Sequence, residues 1–205
     1  MTKFPTVTLL HELKKFGKQI IQFPIICVLY PYSIYYITET WLSNSVFDRE
    51  ILPCEYTLYR KDRGSRGVLI AVSDSVPSVL ISSPEELEII TVNLNYLNGP
   101  ITLCTVYVPP NSGNDHHKNL LSYLAHVSSS ADSVILVADF NLPDVCWSSL
   151  IGQSPFSNSF CVFVYEHNFS QLVDCHTHVK GNILDLVLTI LKASYLIYWS
   201  LNHMH

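Results

Sequence analysis

Short apolar runs separated by turn-forming residues are the feature that most constrains the fold of this chain. Tyr56–Lys61 and Val68–Val72 flank a turn rich in charged residues and glycine, as the strands of a hairpin do. Glu88–Asn95 and Ile101–Val108 flank Asn98-Gly99-Pro100 in the same way. Because these runs are short and bounded by turns, they favour strands over helices. The chain is therefore predicted to contain paired antiparallel strands.

Single apolar runs and two helical patterns complete the predicted architecture. Further strands are predicted at Ser33–Ile37, Ser133–Val137, Gln171–Val173 and Ile183–Thr189. Apolar residues recur at helical spacing within His117–Val127, and Phe156–His167 is a second helix candidate. Antiparallel pairs mixed with single helices indicate an α/β sandwich of two packed sheets flanked by helices. A length of 205 residues suits one such domain.

The net charge and the cysteine pattern restrict the nucleic-acid binding, the metal sites and the cellular compartment expected for the chain. The formal net charge of -5 opposes non-specific nucleic-acid binding, which depends mainly on Lys and Arg, so any DNA contact must be local. The dense basic cluster from Arg60 to Arg66 is a candidate contact, and a solvated face is the alternative. Six scattered cysteines without a C-x-x-C pair argue against a zinc ribbon and favour a reducing compartment. We expect an intracellular protein, nuclear or cytoplasmic.

The apolar stretch Ile20–Ile37, preceded by lysines, raises the alternative of a membrane anchor. Pro24 and Pro31 interrupt it, and a bilayer span needs about 20 mostly apolar residues. We therefore expect no stable membrane association. The predicted organisation is a leader at residues 1–33, one domain at 34–189 and a divergent apolar tail at 190–205.

Polar residues stand where apolar strands end or within them, at Glu39, Tyr107, Asp139, Asn141 and Asp185. Side chains at strand ends can converge on one rim of a sheet, and oxygen ligands of this kind suit a hard cation such as Mg²⁺. Each residue alone also has a structural explanation, as a turn or helix cap, a core residue or a buried paired carboxylate. Both interpretations stay open on these residues alone.

Five segments, taken in order, resemble motifs of the endonuclease/exonuclease/phosphatase domain, related to AP endonucleases, of LINE-type non-LTR retrotransposons. Their joint order carries the resemblance, because no single motif is specific enough. The segments are Thr38-Glu39-Thr40-Trp41-Leu42, similar to T-E-T-W-L; Arg60 to Val68, similar to R-x-D-R-x-x-R-G-G-V with one glycine fewer; Tyr107-Val108-Pro109-Pro110, similar to Y-x-P-P; Ala138-Asp139-Phe140-Asn141, similar to G-D-F-N; and Thr177 to Val187, similar to T-H-x-x-G-N-x-L-D-L-V.

The resemblance implies a DNase I-like α/β sandwich that nicks DNA with Mg²⁺ or Mn²⁺ and no small-molecule cofactor. It implies that Glu39 holds the metal and that Asp139 orients or deprotonates the attacking water. Asn141 would position the phosphate or Asp139. Tyr107 would donate a hydrogen bond to the phosphate or act as phenolate, and Asp185 would orient a histidine.

The same resemblance gives the chain a set of DNA-binding candidates. Arg63 and Arg66 would grip a flanking phosphate, since guanidinium groups match that geometry. Thr177 and His178, in the T-H motif, would also contact phosphate or DNA.

Two elements of the resembled family are not matched. No Asn occurs before Glu39, where the family has a metal-binding Asn, and no Ser-Asp-His follows Thr189. Asn202-His203 is a weak echo of that last motif. We therefore expect a fold incomplete at both termini, with little or no nicking by this copy. The alternative is a binding or interaction module without catalysis on the same fold.

Overall fold

The computed structural model describes residues 33–52, 54–63, 66–96 and 99–191. The elements of this part of the chain are, in order, β1 (Ile34–Thr38), α1 (Asp48–Ile51), β2 (Tyr56–Asp62), β3 (Gly67–Ser73), β4 (Ser78–Ile81), β5 (Ile89–Tyr96), β6 (Gly99–Tyr107), α2 (Asn114–Ser130), β7 (Val134–Asp139), β8 (Val145–Cys146), β9 (Ile151–Gly152), α3 (Pro155–Glu166), β10 (Ser170–Gln171) and β11 (Asp185–Ile190).

The described strands form two main sheets and one small ribbon. The first sheet has the order β1-β3-β2 and is antiparallel. The second has the order β10-β11-β7-β6-β5-β4, in which β6 and β7 are parallel and the other neighbours are antiparallel. Parallel neighbours need a crossover connection, and α2 supplies it between β6 and β7. The β8-β9 ribbon stands apart from both sheets.

The two main sheets pack face to face through alternate residues of their strands. On β1, Ile34 and Tyr36 lie in this shared core, whereas Tyr35 packs on the opposite side with the α1 region, as a period of two requires. The first sheet also contributes Val68, Ile70 and Val72 of β3, and the second sheet contributes Ile90, Val92, Leu94, Ile101 and Leu103 of β5 and β6. Burial of these side chains is the main stabilisation of the sandwich.

Helices α2 and α3 cover the outer face of the second sheet. Leu120 and Leu124 of α2 are buried in the same cluster as Phe160 and Phe163 of α3. Ser154 begins α3 by accepting the Ser157 backbone N–H at 3.2 Å, which satisfies one of the free donors at a helix start. The fold is thus an α/β sandwich, and the predicted fold class is confirmed.

The predicted strands and helices are present, with shifted ends and a few additions. Helix α2 starts at Asn114 rather than His117, because its first turn is polar and lacks the apolar signal. Helix α1, strand β4 and the β8-β9 ribbon were not predicted. Strand β4 exposes Val79 and Leu80, so it lacks the alternation that marks a half-buried strand.

The ends of the chain lie largely outside the described residues, so the predicted leader, the tail and the incomplete termini stay predictions. Of the apolar stretch Ile20–Ile37, residues 34–37 belong to buried or half-buried β1. A membrane-crossing helix of sufficient length and apolar character is absent from the described residues.

Candidate active site

Three neighbouring strands of the second sheet place three predicted site residues side by side. Tyr107 is the register partner of Asp139 in the β6-β7 pair, and Asp139 is the register partner of Asp185 in the β7-β11 pair. Partner positions of paired strands project from the same face of a sheet. Asp139 and Asp185 are 2% and 6% exposed, and Tyr107 is 4% exposed. The strand register therefore builds a buried polar row from distant parts of the chain.

Glu39 approaches this row from the first sheet, on a turn that follows β1. Its φ of 54° and the φ of 55° at Trp41 lie in the left-handed region, which non-glycine residues seldom adopt. Two backbone contacts hold the turn. The Thr40 N–H donates to the Gly67 carbonyl at 3.2 Å, and the Trp41 N–H donates to the Arg66 carbonyl at 3.1 Å.

A hydrogen bond joins the turn to the row. The Tyr107 hydroxyl donates to Oε1 of Glu39 at 2.8 Å. Burial, followed by the Glu39 and Asp139 carboxylates, raises the pKa of Tyr107 well above its ordinary value. These causes favour the neutral phenol, and therefore favour the hydrogen-bond donor over the phenolate among the two roles implied for Tyr107.

Asn141 is positioned by Asp139 and by the end of β6. Its φ is 51°, and its backbone N–H donates to Oδ1 of Asp139 at 3.2 Å. Its side-chain amide donates to the Val108 carbonyl at 2.9 Å, while the Val108 N–H donates to the Asp139 carbonyl at 2.9 Å. The backbone of Asn141 thus contacts the Asp139 carboxylate, whereas its side chain contacts the end of β6.

The T-H motif forms a turn that leads into β11. Oγ1 of Thr177 accepts the backbone N–H groups of Leu184 at 2.9 Å and Asp185 at 3.1 Å. His178 is exposed, and its Nδ1 accepts the Lys180 N–H at 3.3 Å. The hydroxyl oxygen of Thr177 thus accepts hydrogen bonds from the backbone that carries Asp185.

A cleft of about 600 Å³ lies next to Tyr107, and the predicted phosphate contacts Arg63 and Arg66 line it. Both arginines are exposed. Arg66 lies 3.4 Å from a carboxylate oxygen of Glu88, and Arg63 donates to the Glu85 carbonyl. The other lining residues are Glu86, Glu88, Tyr107, Pro109, Pro110, Asn111, Ser112, Gly113 and His116.

Glu88 and His116 belong to this cleft and were not predicted. Glu88 is 6% exposed and directly precedes apolar β5, so a charged residue at the head of an apolar strand was the available signal. Burial is the first cause of a lowered pKa at His116, and Glu88 opposes it. His116 offered no signal, because a single polar residue in the first turn of a helix is common.

The donors near the row are oxygens, which suit Mg²⁺ or Mn²⁺ better than a soft metal. Within the described residues no three His, Cys, Asp or Glu side chains are grouped so as to hold a metal ion. Glu39 is half-buried and Tyr107 bonds one of its two carboxylate oxygens. A hard cation that keeps most of its waters fits this donor set, because Mg²⁺ commonly uses only one or two carboxylates.

The sequence from residue 101 to residue 203 matches the family described as endonuclease-reverse transcriptase. The chain belongs to the endonuclease-reverse transcriptase family. The matched region contains Tyr107, Asp139, Asn141 and Asp185, and it extends into the predicted tail. No curated protein sequence matches the chain.

Solved structures share the fold of this family member at low sequence identity. The endonuclease domain of TRAS1, a telomere-specific non-LTR retrotransposon, has a TM-score of 0.64 at 15% identity and covers 87% of this chain and 82% of its own. An AP endonuclease from Archaeoglobus fulgidus has 0.54 at 16%, covering 84% and 81%. The human Nocturnin catalytic domain has 0.58 at 13%, covering 91% and 80%. Identities this low establish the fold alone, a DNase I-like α/β sandwich.

Proposed function

We propose that this family member is a retrotransposon-derived phosphodiesterase domain that acts on DNA with Mg²⁺ or Mn²⁺ and has weak nicking activity as a 205-residue chain. The observation that carries the proposal is the Tyr107–Glu39 hydrogen bond of 2.8 Å, which joins Glu39 to the Tyr107-Asp139-Asp185 row. It brings oxygen ligands and a neutral hydrogen-bond donor to one place between two sheets. A buried arrangement of this kind suits metal-assisted hydrolysis better than a structural cap.

The proposed roles follow from position. Glu39 holds the cation, which neutralises charge on the phosphate oxygens when bound. Asp139 accepts the proton of an attacking water or orients that water, and Asn141 fixes the Asp139 carboxylate in place. The neutral Tyr107 hydroxyl donates to a phosphate oxygen or keeps Glu39 in position. Asp185 extends the row and orients a histidine if one reaches it.

DNA recognition is proposed for the cleft beside Tyr107. Arg63 and Arg66 are exposed there, so their guanidinium groups can reach phosphates on either side of the cleaved bond. The net charge of -5 limits non-specific affinity, so we expect weak DNA binding with the shallow salt dependence of about two phosphate contacts. His178 is a further exposed candidate, whereas the bonds of Thr177 favour a structural role.

The expected activity is low because the family's metal-binding Asn and terminal Ser-Asp-His have no matches before Glu39 or after Thr189. Catalytic groups act as a unit, so the lack of one can remove several orders of magnitude in rate. The second candidate function is a DNA-binding module without catalysis. The two exposed arginines of the cleft favour it, because they do not depend on the unmatched residues.

The nicking test uses supercoiled plasmid and the 205-residue chain. We expect conversion barely above the metal-free background in Mg²⁺ or Mn²⁺, and loss of that conversion in Asp139→Ala. Adding the family's Asn-bearing strand and Ser-Asp-His segment should raise the rate, and Asp139→Ala should again abolish it. Plasmid retention without cleavage in every variant would favour the binding module. Efficient nicking that survives Asp139→Ala would place the active site elsewhere.

Metal binding has its own test in Trp41, which lies two residues from Glu39 and is 56% exposed. We expect a fluorescence change with Mg²⁺ at roughly millimolar concentration, because one carboxylate leaves most of the ligand shell to water. Glu39→Gln should remove the response, whereas Glu50→Gln, an exposed glutamate of α1, should retain it. A response equal in both variants would locate the cation away from Glu39.

A further inference from the structure

Glu88 is a buried carboxylate to which the proposed chemistry gives no role. Burying a charged side chain costs free energy unless hydrogen bonds compensate it. Oε2 of Glu88 accepts the Gly67 N–H at 3.2 Å, and Oε1 lies 3.4 Å from the Arg66 guanidinium. Its own carbonyl accepts the Tyr107 N–H at 3.0 Å. Glu88 therefore contacts backbone on the first sheet and backbone on the second.

These contacts close a hydrogen-bonded ring that passes through Glu39. Starting from Tyr107, the ring runs through its backbone N–H to Glu88, through the Glu88 side chain to Gly67, and from the Gly67 carbonyl to Thr40. Thr40 adjoins Glu39, whose carboxylate accepts the Tyr107 hydroxyl. Glu88 is the ring member that connects the strand of Tyr107 to the loop that holds the Glu39 turn.

The Glu39 turn needs such a restraint. Glu39 and Trp41 both have left-handed backbone conformations, which are strained for non-glycine residues and persist only when surrounding contacts enforce them. The enforcing acceptors are the carbonyls of Arg66 and Gly67. Glu88 binds the side chain of the first and the backbone N–H of the second, so it fixes both acceptors at once.

We propose that Glu88 is a positioning residue, which holds the Glu39 turn in register with Tyr107 and so aligns the cation-holding carboxylate with the polar row. The role of Glu39 as a cation ligand rests on the proposed function. The coupling of Glu88 to the Glu39 turn rests on the hydrogen bonds of the ring alone. The competing explanation is a local ion pair that only orders Arg66 at the cleft surface.

Amide hydrogen exchange of the 205-residue chain separates these explanations without requiring activity. In Glu88→Ala we expect exchange at Gly67, Thr40 and Trp41 to accelerate by about ten-fold or more, because the acceptor that fixes the loop is lost. Glu88→Gln should accelerate it less, since one acceptor oxygen remains. Exchange within β7 should stay unchanged. If Glu88→Ala fails to fold, acceleration of about three-fold in Glu88→Gln supports the proposal.

The matched control is Glu86→Gln, which removes the same charge from the same cleft at an exposed position outside the ring. It should leave the exchange of Thr40 and Trp41 unaltered. Two results would overturn the proposal: unchanged exchange at Thr40 and Trp41 in both Glu88 variants, or equal acceleration at every amide of the chain.

A kinetic measurement connects the ring to the proposed chemistry. In whichever form nicks plasmid measurably, Glu88→Gln should lower kcat by about ten-fold while KM for DNA changes by less than about two-fold, because the loss concerns alignment and not binding. A raised KM at unchanged kcat would assign Glu88 to Arg66 and DNA contact instead. If no form nicks, the proposed function fails. The exchange result still tests whether Glu88 holds the Glu39 turn.

Discussion

The two halves of the candidate site are built in different ways. On the second sheet, Tyr107, Asp139 and Asp185 are placed by strand register, so ordinary ladder hydrogen bonds fix their spacing. On the first sheet, Glu39 lies on a left-handed turn that other residues must hold. The second-sheet half, called the register side, is therefore a consequence of the sheet itself, whereas the first-sheet half, called the turn side, depends on a few specific side-chain and backbone contacts.

The largest expected loss of stability comes from adding a side-chain atom at Gly67, on the turn side. Gly67 has a φ of +112°, and an added Cβ would meet the Lys61 carbonyl and Oγ1 of Thr40, each at 2.8 Å. Gly67→Ala combines backbone strain with overpacking and should lower the free energy of unfolding by about 3 kcal/mol. Gly181→Ala is the matched control, because Gly181 also has a positive φ but open space around it.

In urea denaturation Gly181→Ala should cost only about 1 kcal/mol, the penalty of the left-handed backbone alone. Equal losses in Gly67→Ala and Gly181→Ala would mean that the turn side accommodates the extra atom, and that it is less constrained than the geometry indicates.

The register side should be most sensitive at Thr177, whose hydroxyl accepts two backbone N–H groups at the start of β11. Thr177→Val keeps the shape of the side chain and leaves both donors without this acceptor, so we expect a loss of about 2 kcal/mol in the free energy of unfolding. Thr177→Ser should lose less than half of that. If both variants are neutral in urea denaturation, the ladder alone places Asp185.

The contact between the two halves should contribute less to the free energy of unfolding than is lost in Gly67→Ala or Thr177→Val. Tyr107→Phe removes the hydroxyl that bonds Glu39 and keeps the buried ring, so we expect a loss of about 1 kcal/mol. A double-mutant cycle with Glu39→Ala isolates the contact, and we expect a coupling free energy of about 0.5–1 kcal/mol. Strictly additive losses would show that the two halves are not coupled through this bond.

The smallest expected effect is on alkaline stability. The pKa of Tyr107 is raised in the folded protein, so the folded state retains the phenolic proton and its contribution is fully present below the ordinary value of 10.0. Stability should fall as pH rises above that value, and less steeply in Tyr107→Phe. Burial also raises the pKa of Tyr36, which provides a second titrating tyrosine.

Glu39→Gln distinguishes the causes of these two shifts. It should lower the pKa of Tyr107 towards 10.0, because a carboxylate beside the hydroxyl is removed, and leave that of Tyr36 unchanged. Tyrosine-selective ¹³C NMR during alkaline titration, with signals assigned through Tyr→Phe variants, follows these two side chains separately among the 12 tyrosines. A Tyr107 titration that does not move in Glu39→Gln would attribute its shift to burial alone.

Sequence patterns predicted the register side better than the turn side. Strands β6, β7 and β11 carry period and composition signals, so Tyr107, Asp139 and Asp185 were predicted at strand ends or within strands, whereas their register partners were not predicted. Glu39 was identified from its motif, but its left-handed conformation depends on carbonyls of Arg66 and Gly67, which are distant in sequence. Such restraints leave no local pattern.

Glu88 and Thr177 illustrate why the remaining contacts were not predicted. Glu88 is one charged residue beside an apolar strand, and only tertiary packing shows that it reaches Gly67. Thr177 was expected to contact phosphate or DNA, whereas its hydroxyl is bonded by the Leu184 and Asp185 backbone. Side-chain partners across loops follow from the assembled fold, and a single sequence does not specify them.

The most direct test of the proposed site is the position of the cation between the two halves. Crystals of the 205-residue chain soaked in Mn²⁺ allow the ion to be located by its anomalous scattering. We expect one peak in contact with the Glu39 carboxylate and facing Asp139, and no peak there in Glu39→Gln crystals. A peak found only elsewhere, or one that persists beside the row in Glu39→Gln, would contradict a site assembled from the turn and the strand register.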